Sequence, residues 1–401
     1  MELYLQFGFG MMQHSQSLVS SWGGGTVILS PRDLNESQLL RVAERIAAMD
    51  RGRLLLDPQF YLPHADHERL CSHRYWPDSY QTGVFWQGPS LVELLSGLAD
   101  LNRRADCAEF ILPGLLASSV SEDWLASQQA ILEEAQALNL GLPLLSTIAL
   151  SDDAVRSQEQ IGVLLERAEE WQPDGYYLIM QHPHGSYLAD DPNWLANVLD
   201  VAAGLKLQRA RVVMGYCNHQ MLIAAAAKVD AIASGTWMNV RSFPPEKFRS
   251  ALEDDIKQRA TWYYCPQALS EYKVTYLDLA FRAGLLRQMA PHVSLDGGYV
   301  RNLFSGAQPS AVGLSEQVAF RHYLHCLRAQ ALEATRDTFD ETVHLHHSLL
   351  DSAESLLSQL RLRGVLGQLR DFSQILDVNR AALAAHTSGR GPLLRREWGA
   401  L

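Results

Sequence analysis

Cysteine is scarce in this chain of 401 residues, and what there is has no arrangement suited to metal or disulfide chemistry. Cys71, Cys107, Cys217, Cys265 and Cys326 are odd in number, widely scattered and without a C-x-x-C pair, so reduced thiols are expected. No apolar run approaches the roughly 18 residues of a membrane span. The opening Met1-Glu2-Leu3-Tyr4-Leu5-Gln6-Phe7 has neither the basic segment nor the apolar core of a signal peptide. A cytoplasmic protein with no membrane attachment is the expectation. Positive charge is also in deficit, with 34 Lys and Arg against 45 Asp and Glu and a formal net charge of -11. That balance opposes nonspecific adhesion to a polyanion and leaves room only for a local basic groove. Low-complexity tracts are missing too, and with 47% hydrophobic and 20% charged residues the chain has the material for a core.

What is present is a repeated sentence: a short apolar run, a polar tip, then a stretch of helical periodicity. The runs are Leu3 to Phe9, Thr26 to Ser30, Arg53 to Asp57, Glu109 to Leu112, Leu144 to Thr147, Gly175 to Met180, Arg211 to Gly215 and Asp230 to Gly235. Eight strand-helix units predict an α/β fold, a (β/α)8 TIM barrel over residues 1–257, with the chemistry at the C-terminal strand tips. After the eighth run the alternation stops, and an all-helical C-terminal region over 258–401 is expected.

Among the helices, Asn35 to Met49 opens on a capping-box pattern, Asn35-Glu36-Ser37-Gln38, and Ser121 to Leu138 and Asp152 to Trp171 open on side chains able to accept from free backbone N–H groups. A short helix around Gln13 to Ser21 ends at Gly23-Gly24-Gly25, a helix-to-strand turn in preference to a phosphate loop, since no Lys-Ser/Thr follows. The loop from Tyr61 to Gln87 far exceeds the usual two to six residues and is rich in Tyr, Trp, His and Arg, as a substrate lid or a rim-packing segment would be. Beyond the barrel, helices are expected over Lys247 to Asp254, Glu271 to Arg287, Leu314 to Thr338, Glu341 to Leu360 and Arg363 to Ala385, then a polar tail from Thr387. The apolar stripe Val318, Tyr323, Leu324, Leu327 and Leu332 must be buried against the barrel, another helix or a partner. His344 and His347 share a helix face and read as a solvated or partner-facing patch.

The tips hold the chemistry. Asp57-Pro58-Gln59-Phe60 ends the third run, Gln181-His182-Pro183-His184 the sixth, Cys217-Asn218-His219-Gln220 the seventh, and Thr236-Trp237-Met238-Asn239-Val240-Arg241 the eighth. Asp57 is the one carboxylate directly at an apolar strand end near the middle of such a site. Buried beside Gln181 and Phe60 its pKa would suit general-base or nucleophilic work; otherwise it caps a loop or pairs with Arg241 or Arg32. Gln59 and Asn239 offer paired donors and acceptors, Asn218 a further amide, Trp237 a flat face for a ring and Arg241 an anion clamp. His182 and His184 form an H-x-H that on a strand would point both imidazoles to one side, as a metal site would need, although further ligands at other tips are missing.

The order of these tips resembles the tRNA-guanine transglycosylases, eight-stranded barrels that exchange a nucleobase at an N-glycosidic bond. Leu54-Leu55-Leu56-Asp57-Pro58-Gln59-Phe60 resembles that family's L-T-D-S-G-G-F-Q, and Leu178-Ile179-Met180-Gln181 its G-I-V-Q-G-G. Val213-Met214-Gly215, then Val229-Asp230-Ala231-Ile232 and Arg241, follow the run of M-G-V-G, G-V-D-M-F-D and P-T-R, and Cys265 with Tyr272 to Ala280 is similar to the helix after the zinc cysteines. The likeness covers roughly residues 50 to 295. It implies that Asp57 is an active-site carboxylate and Gln181 a base-reading amide. It departs from the family at Ala233, near which the nucleophilic aspartate would fall, and in retaining only Cys265 and His292 of the zinc set.

Three functions follow from this reading. The first is a divergent transglycosylase-like barrel binding a nucleobase, nucleoside or nucleic acid, with Asp57 and Gln181 catalytic, and with Gln59, Phe60, His182, His184, Asn218, Trp237, Asn239 and Arg241 binding substrate. The second is a catalytically inactive barrel that serves as a recognition or scaffold subunit through its helical C-terminal part, by a protein partner or self-association. The third is a metal-dependent hydrolase using His182 and His184. No cofactor is called for. Arg361, Arg363, Arg370, Arg380, Arg390, Arg395 and Arg396 make the C-terminal end locally basic, as phosphate contact would require.

Overall fold

The computed structural model describes residues 1–62, 64–77, 86, 88–250 and 260–401. The boundary at 257/258, the middle of the long loop after the third run and the second half of the helix expected over Lys247 to Asp254 lie outside the described residues.

All eight apolar runs form strands of one parallel sheet, joined by a ninth short strand. They are β1 (Glu2–Gln6), β2 (Gly25–Leu29), β3 (Gly52–Leu56), β4 (Phe110–Ile111), β5 (Leu116–Ala117), β6 (Leu144–Leu150), β7 (Gly175–Met180), β8 (Arg211–Met214) and β9 (Ala231–Ser234). The order is β3-β2-β1-β9-β8-β7-β6-β4, with β5 beside the C-terminal half of β6. First and last strands are therefore neighbours: β1 and β9 run parallel with Leu3 opposite Ile232 and Leu5 opposite Ser234. The two ends of the ladder, β3 and β4, are consecutive in sequence, and one backbone bond joins their segments, from the Ala108 N–H to the Leu54 carbonyl at 2.9 Å.

Alternation along each strand sorts the side chains onto two faces. Tyr4, Ile28, Leu55, Ile111, Leu145, Tyr177, Val213 and Ala233 belong to a buried cluster on the inside of the curl, one from each of the eight strands in the ladder. Their neighbours Leu5, Val27, Leu54, Phe110, Leu144, Leu178, Met214 and Ile232 belong to a larger cluster that packs against the helices. A strand buried on both faces reads as a continuous apolar run, and that is why the runs were legible.

Local signals hold in part. Asn35 forms the full capping box with Gln38, and the first helix, Met11–Trp22, ends on Gly23 with φ 66°. The amides of Gly23 and Gly24 donate to Ser20 and Val19 carbonyls, so this turn closes a helix and its N–H groups are taken. The single helix expected from Asp152 to Trp171 is two, Asp152–Arg156 and Gln158–Trp171. Ser157 is extended and accepts from the Gln160 N–H, so a second N-cap restarts the helix.

The part after the sheet is not all-helical. Trp262–Cys265 (β10) and Ser270–Lys273 (β11) form an antiparallel hairpin, and the helix expected from Glu271 begins only at Val274. The aromatic content of Trp262-Tyr263-Tyr264-Cys265, with a tight turn following, favours a hairpin over a helix there. Helices Glu316–Glu333 and Phe339–Leu362 lie where expected, the stretch from Arg363 is α-helical only over Leu376–Gly389, and the tail expected to be polar continues as the helix Gly391–Glu397. Of the stripe on Glu316–Glu333, Tyr323, Leu324 and Leu327 are buried while Leu332 is half exposed. His346 is buried on the Ala334 carbonyl, while His344 is exposed. This region packs on the sheet's helices through Trp22 to His325, Arg321 to His14, Arg390 to Asp200 and His386 to the Ala226 carbonyl. No described helix is long and apolar enough to cross a membrane.

Candidate functional site

Asp57 stands one residue beyond β3, on the same parity as inward Leu55, and is completely buried. Its Oδ1 accepts from the Tyr61 hydroxyl at 2.7 Å and the Gln59 amide at 2.9 Å; its Oδ2 accepts from the Tyr216 hydroxyl at 2.6 Å and more distantly from Tyr177 at 3.5 Å. These groups come from the segments after β3 and β8 and from β7 itself. Tyr177 lies within β7 and also donates to Gln6 Oε1, at the end of β1, at 3.0 Å. Gln59 donates from Nε2 to Tyr216 and accepts on Oε1 from Ser30 and the Arg32 amide, which locks the second tip to the third.

Backbone conformation is spent on this arrangement. Gln59 and Tyr216 hold φ of 56° and 55°, a region that side chains other than Gly rarely adopt and that costs about 1 to 2 kcal/mol each. Gly215 precedes Tyr216, and a Cβ there would collide with the Tyr177 hydroxyl and Ile179. Only glycine leaves Tyr177 room to reach both Gln6 and Asp57.

Burial pushes the Asp57 carboxyl above its ordinary pKa, partly offset by the hydrogen bonds from Tyr216, Tyr61 and Gln59 and by the charge of Lys247. Lys247 closes the site from above. Its Nζ donates to the Asn239 carbonyl at 2.8 Å and lies 3.8 Å from the centre of the Tyr216 ring, with Phe248 at 4.9 Å. Burial draws this amine down to about 7, against the pull of Asp33 and Asp57. Two loops meet over the cage: the His67 amide donates to the Phe248 carbonyl, Ser250 bonds to Asp66, and Arg32 Nε donates to the Lys247 carbonyl. In the described part of the long third loop, Leu70 and Ala65 join the inner cluster, His73 bonds to the Pro31 and Leu34 carbonyls, and Tyr75 to Pro58.

The other expected site residues divide. Gln59 is in the cage; Phe60 lies behind it, completely buried between Trp76 and Trp86. Gln181 is half-buried, no hydrogen bond joins it to Asp57, and it is Tyr177 that reaches the carboxylate from β7. Asn218 and Gln220 are structural: Asn218 caps the 3₁₀ helix His219–Ala227 and donates to the Tyr187 carbonyl, and Gln220 pairs with both backbone groups of Ala189. Asn239 is half-buried, with Oδ1 buried and unbonded among the described residues. The expectation that His182 and His184 point together fails, because β7 ends at Met180 and the chain turns through Pro183–Gly185 with His184 at φ 52°. His182 is buried on the Ser186 carbonyl and against Trp194, its pKa drawn down to about 4 by burial, while His184 is exposed beside Arg156. Among the described residues no three His, Cys, Asp or Glu side chains are placed to hold a metal. Cys265 is buried with its thiol toward the Met289 carbonyl, and His292 is exposed. All five cysteines are unpaired.

Arg241 does not reach Asp57 either. It turns outward from the β9 tip, 2% exposed, and pairs with Glu271 of β11 at 3.1 Å; Arg370 meets the same Oε2 at 2.8 Å and Tyr187 donates to Oε1 at 2.7 Å. Burial alone would raise Glu271, but Arg370 and Arg241 outweigh it and hold the carboxylate down at about 2. Trp237 packs on Phe9 and on Phe320 of the C-terminal part. Sequence reasoning missed Gln6, Tyr61, Tyr177, Tyr216, Lys247, Glu271 and Arg370. Strand parity could have flagged Gln6 and Tyr177, which share the inward face of Tyr4 and Ile179; the others come from loops and the hairpin, where no periodicity exists to read.

No protein-family model matches the chain, and no curated protein is similar to it.

Proposed function

We propose that the chain is a closed (β/α)8 barrel with a transglycosylase-like pocket at its C-terminal strand ends, binding a nucleobase, nucleoside or nucleic-acid end. One observation carries this reading: a completely buried carboxylate, Asp57, is held by a backbone amide and three tyrosine hydroxyls, two from segments after strands on opposite sides of the sheet and one from within β7. A carboxyl whose pKa is raised by burial is suited to proton transfer at an N-glycosidic bond. Gln6 Nε2 and Asn239 Oδ1 are buried and unbonded, a donor and an acceptor of the kind a nucleobase edge satisfies, and Gln181 adds a half-buried amide. Five unpaired thiols fit a reducing, cytoplasmic setting.

Asp57→Asn and Gln181→Ala test this reading. In titrations with a panel of nucleobases, nucleosides and oligonucleotides, and in assays of base release or exchange, the parent binds and turns over at least one member. Asp57→Asn keeps binding and loses turnover by about 100-fold or more, and Gln181→Ala weakens binding. Parent-like behaviour of both variants refutes the assignment.

A second reading, a barrel without chemistry acting as a recognition or scaffold subunit, is favoured by the saturation of Asp57: its four bonds fill the acceptor sites of a carboxylate. Binding without base release by the parent protein selects this alternative.

A further inference from the structure

Lysine is rare in this chain: of 34 Lys and Arg, only Lys206, Lys228, Lys247, Lys257 and Lys273 carry an amine. Elsewhere positive charge is supplied by arginine, which cannot give up its proton. Lys257 lies outside the described residues. Lys206 is held on Asp230 at 2.9 Å, Lys228 lies over the Trp398 ring and Lys273 over that of Trp262. Lys247 differs from these three. It stands over the Asp57 cage at the C-terminal end of the sheet and has no ion pair among the described residues.

Its surroundings suit a nucleophile better than a fixed charge. Nζ donates to the Asn239 carbonyl at 2.8 Å and rests 3.8 Å from the centre of the Tyr216 ring, with Phe248 and Phe243 farther out. The two carboxylates that pull on it are already engaged, Asp33 by Ser30 and Arg32, and Asp57 by hydroxyls and an amide. Arg32 adds a repelling charge. With its pKa drawn down to about 7 by burial, about half of the amine is unprotonated at neutral pH. The residue that holds Nζ brings a second group. Asn239 Oδ1 is buried and unbonded among the described residues, an acceptor in need of a donor. Lys247 and Asn239 are both half-buried, so each keeps contact with solvent.

We infer that Lys247 is a nucleophilic amine that forms an imine with a small α-hydroxyaldehyde, the carbonyl carbon on Nζ and the neighbouring hydroxyl on Asn239 Oδ1. The electron pair of Nζ adds to the carbonyl carbon, and the carbonyl oxygen leaves as water with the two amine protons. One C=N bond replaces one C=O bond, and no oxidant or reductant is consumed. Once protonated, the imine carries its positive charge over the Tyr216 ring, where the ammonium now lies. The inference goes beyond the nucleobase reading, since it concerns a carbonyl compound and requires neither Gln181 nor release of a base.

Reductive trapping on the full chain provides the test. With glycolaldehyde and cyanoborohydride at pH 7, peptide mass spectrometry is expected to show the hydroxyethyl adduct forming at Lys247 about tenfold or more faster than at Lys206, Lys228 or Lys273. The rate at Lys247 saturates with glycolaldehyde concentration. Acetaldehyde, which lacks the hydroxyl, labels Lys247 about fivefold more slowly when both rates are taken relative to Lys228 in the same sample. Asn239→Ala keeps the main-chain carbonyl that holds Nζ and abolishes this preference. Labelling of Lys247 no faster than the other lysines in the folded parent overturns the inference. A rate that rises linearly without saturating also overturns it, since that marks a reactive amine without a binding site. A preference for glycolaldehyde that survives in Asn239→Ala overturns the placement of the hydroxyl. The first two outcomes are read on the parent alone, whatever the substitution does to folding.

Discussion

Asp57, inside the curl of the sheet, and Glu271, outside it, are both buried carboxylates, yet their surroundings drive them in opposite directions. Asp57 is bound by hydroxyls and an amide, neutral donors that offset only part of the cost of burying a charge, so its pKa rises. Glu271 is bound by two guanidinium groups, and their charges outweigh the same cost, so its carboxylate stays ionised down to about pH 2. Neutral partners leave a group able to exchange a proton. Charged partners make it a fixed anion, fit for structure or for holding cations in place. The difference separates a place suited to acid–base chemistry from a place suited to electrostatic recognition.

The largest expected effect comes from Glu271→Gln, which removes the paired carboxylate from buried Arg241 and half-buried Arg370 and costs about 3 to 5 kcal/mol in chemical denaturation at neutral pH. A loss below about 1 kcal/mol would show that the cluster is solvated and would erase the contrast. The parent's acid limb follows from the same pair: with a folded pKa of about 2 against 4.5 for the free group, the stabilisation is present above about pH 4.5 and disappears as pH falls toward 2. Glu271→Gln therefore flattens stability across that window.

Next in size is Gly215→Ala, which forces Tyr177 away from Gln6 and Asp57 and costs about 1 to 3 kcal/mol in the same measurement. Asp57→Asn is smaller at neutral pH and has the opposite pH signature. A carboxyl whose folded pKa is raised destabilises the folded state as pH rises through that value, so the gap between variant and parent narrows with rising pH. A gap that widens would make Asp57 an ordinary ionised carboxylate.

The smallest effect is expected at His219, which packs against Tyr187, Tyr264, Tyr323 and Phe372 with both ring nitrogens buried and unbonded among the described residues. Its imidazole is neutral in the fold down to about 4 and charges near 6.5 when unfolded, so the parent loses stability as pH falls from 6.5 to 4. His219→Phe removes that slope and raises the melting temperature at pH 5 by a few degrees.

Legibility in the sequence followed periodicity. All eight strands were readable because each is a short apolar run buried on both faces, and Asp57 and Gln59 because they interrupt such a run at its end. The restart of the helix at Ser157 was hidden, since a Ser inside a periodic stretch gives no sign of whether its hydroxyl caps or points outward. The H-x-H failed for a similar reason: it assumed that β7 continued through His182, while the turn at Pro183–Gly185 separates the imidazoles. Arg241 was expected to clamp a substrate anion; in the fold it pairs with Glu271, which the sequence placed at the start of a helix and which lies instead on the second strand of a β-hairpin just before that helix.

The sequence by itself determined the strands, their parallel α/β plan and the inward parity that aims Asp57, because backbone geometry converts alternation directly into facing. Only the tertiary structure decided what those side chains meet: that Tyr61, Tyr177 and Tyr216 converge on Asp57, that Lys247 closes the cage, and that Arg241 turns away to share Glu271 with Arg370. Such contacts join residues up to 159 positions apart, and the pKa of a buried group is a property of those neighbours. No local pattern records them.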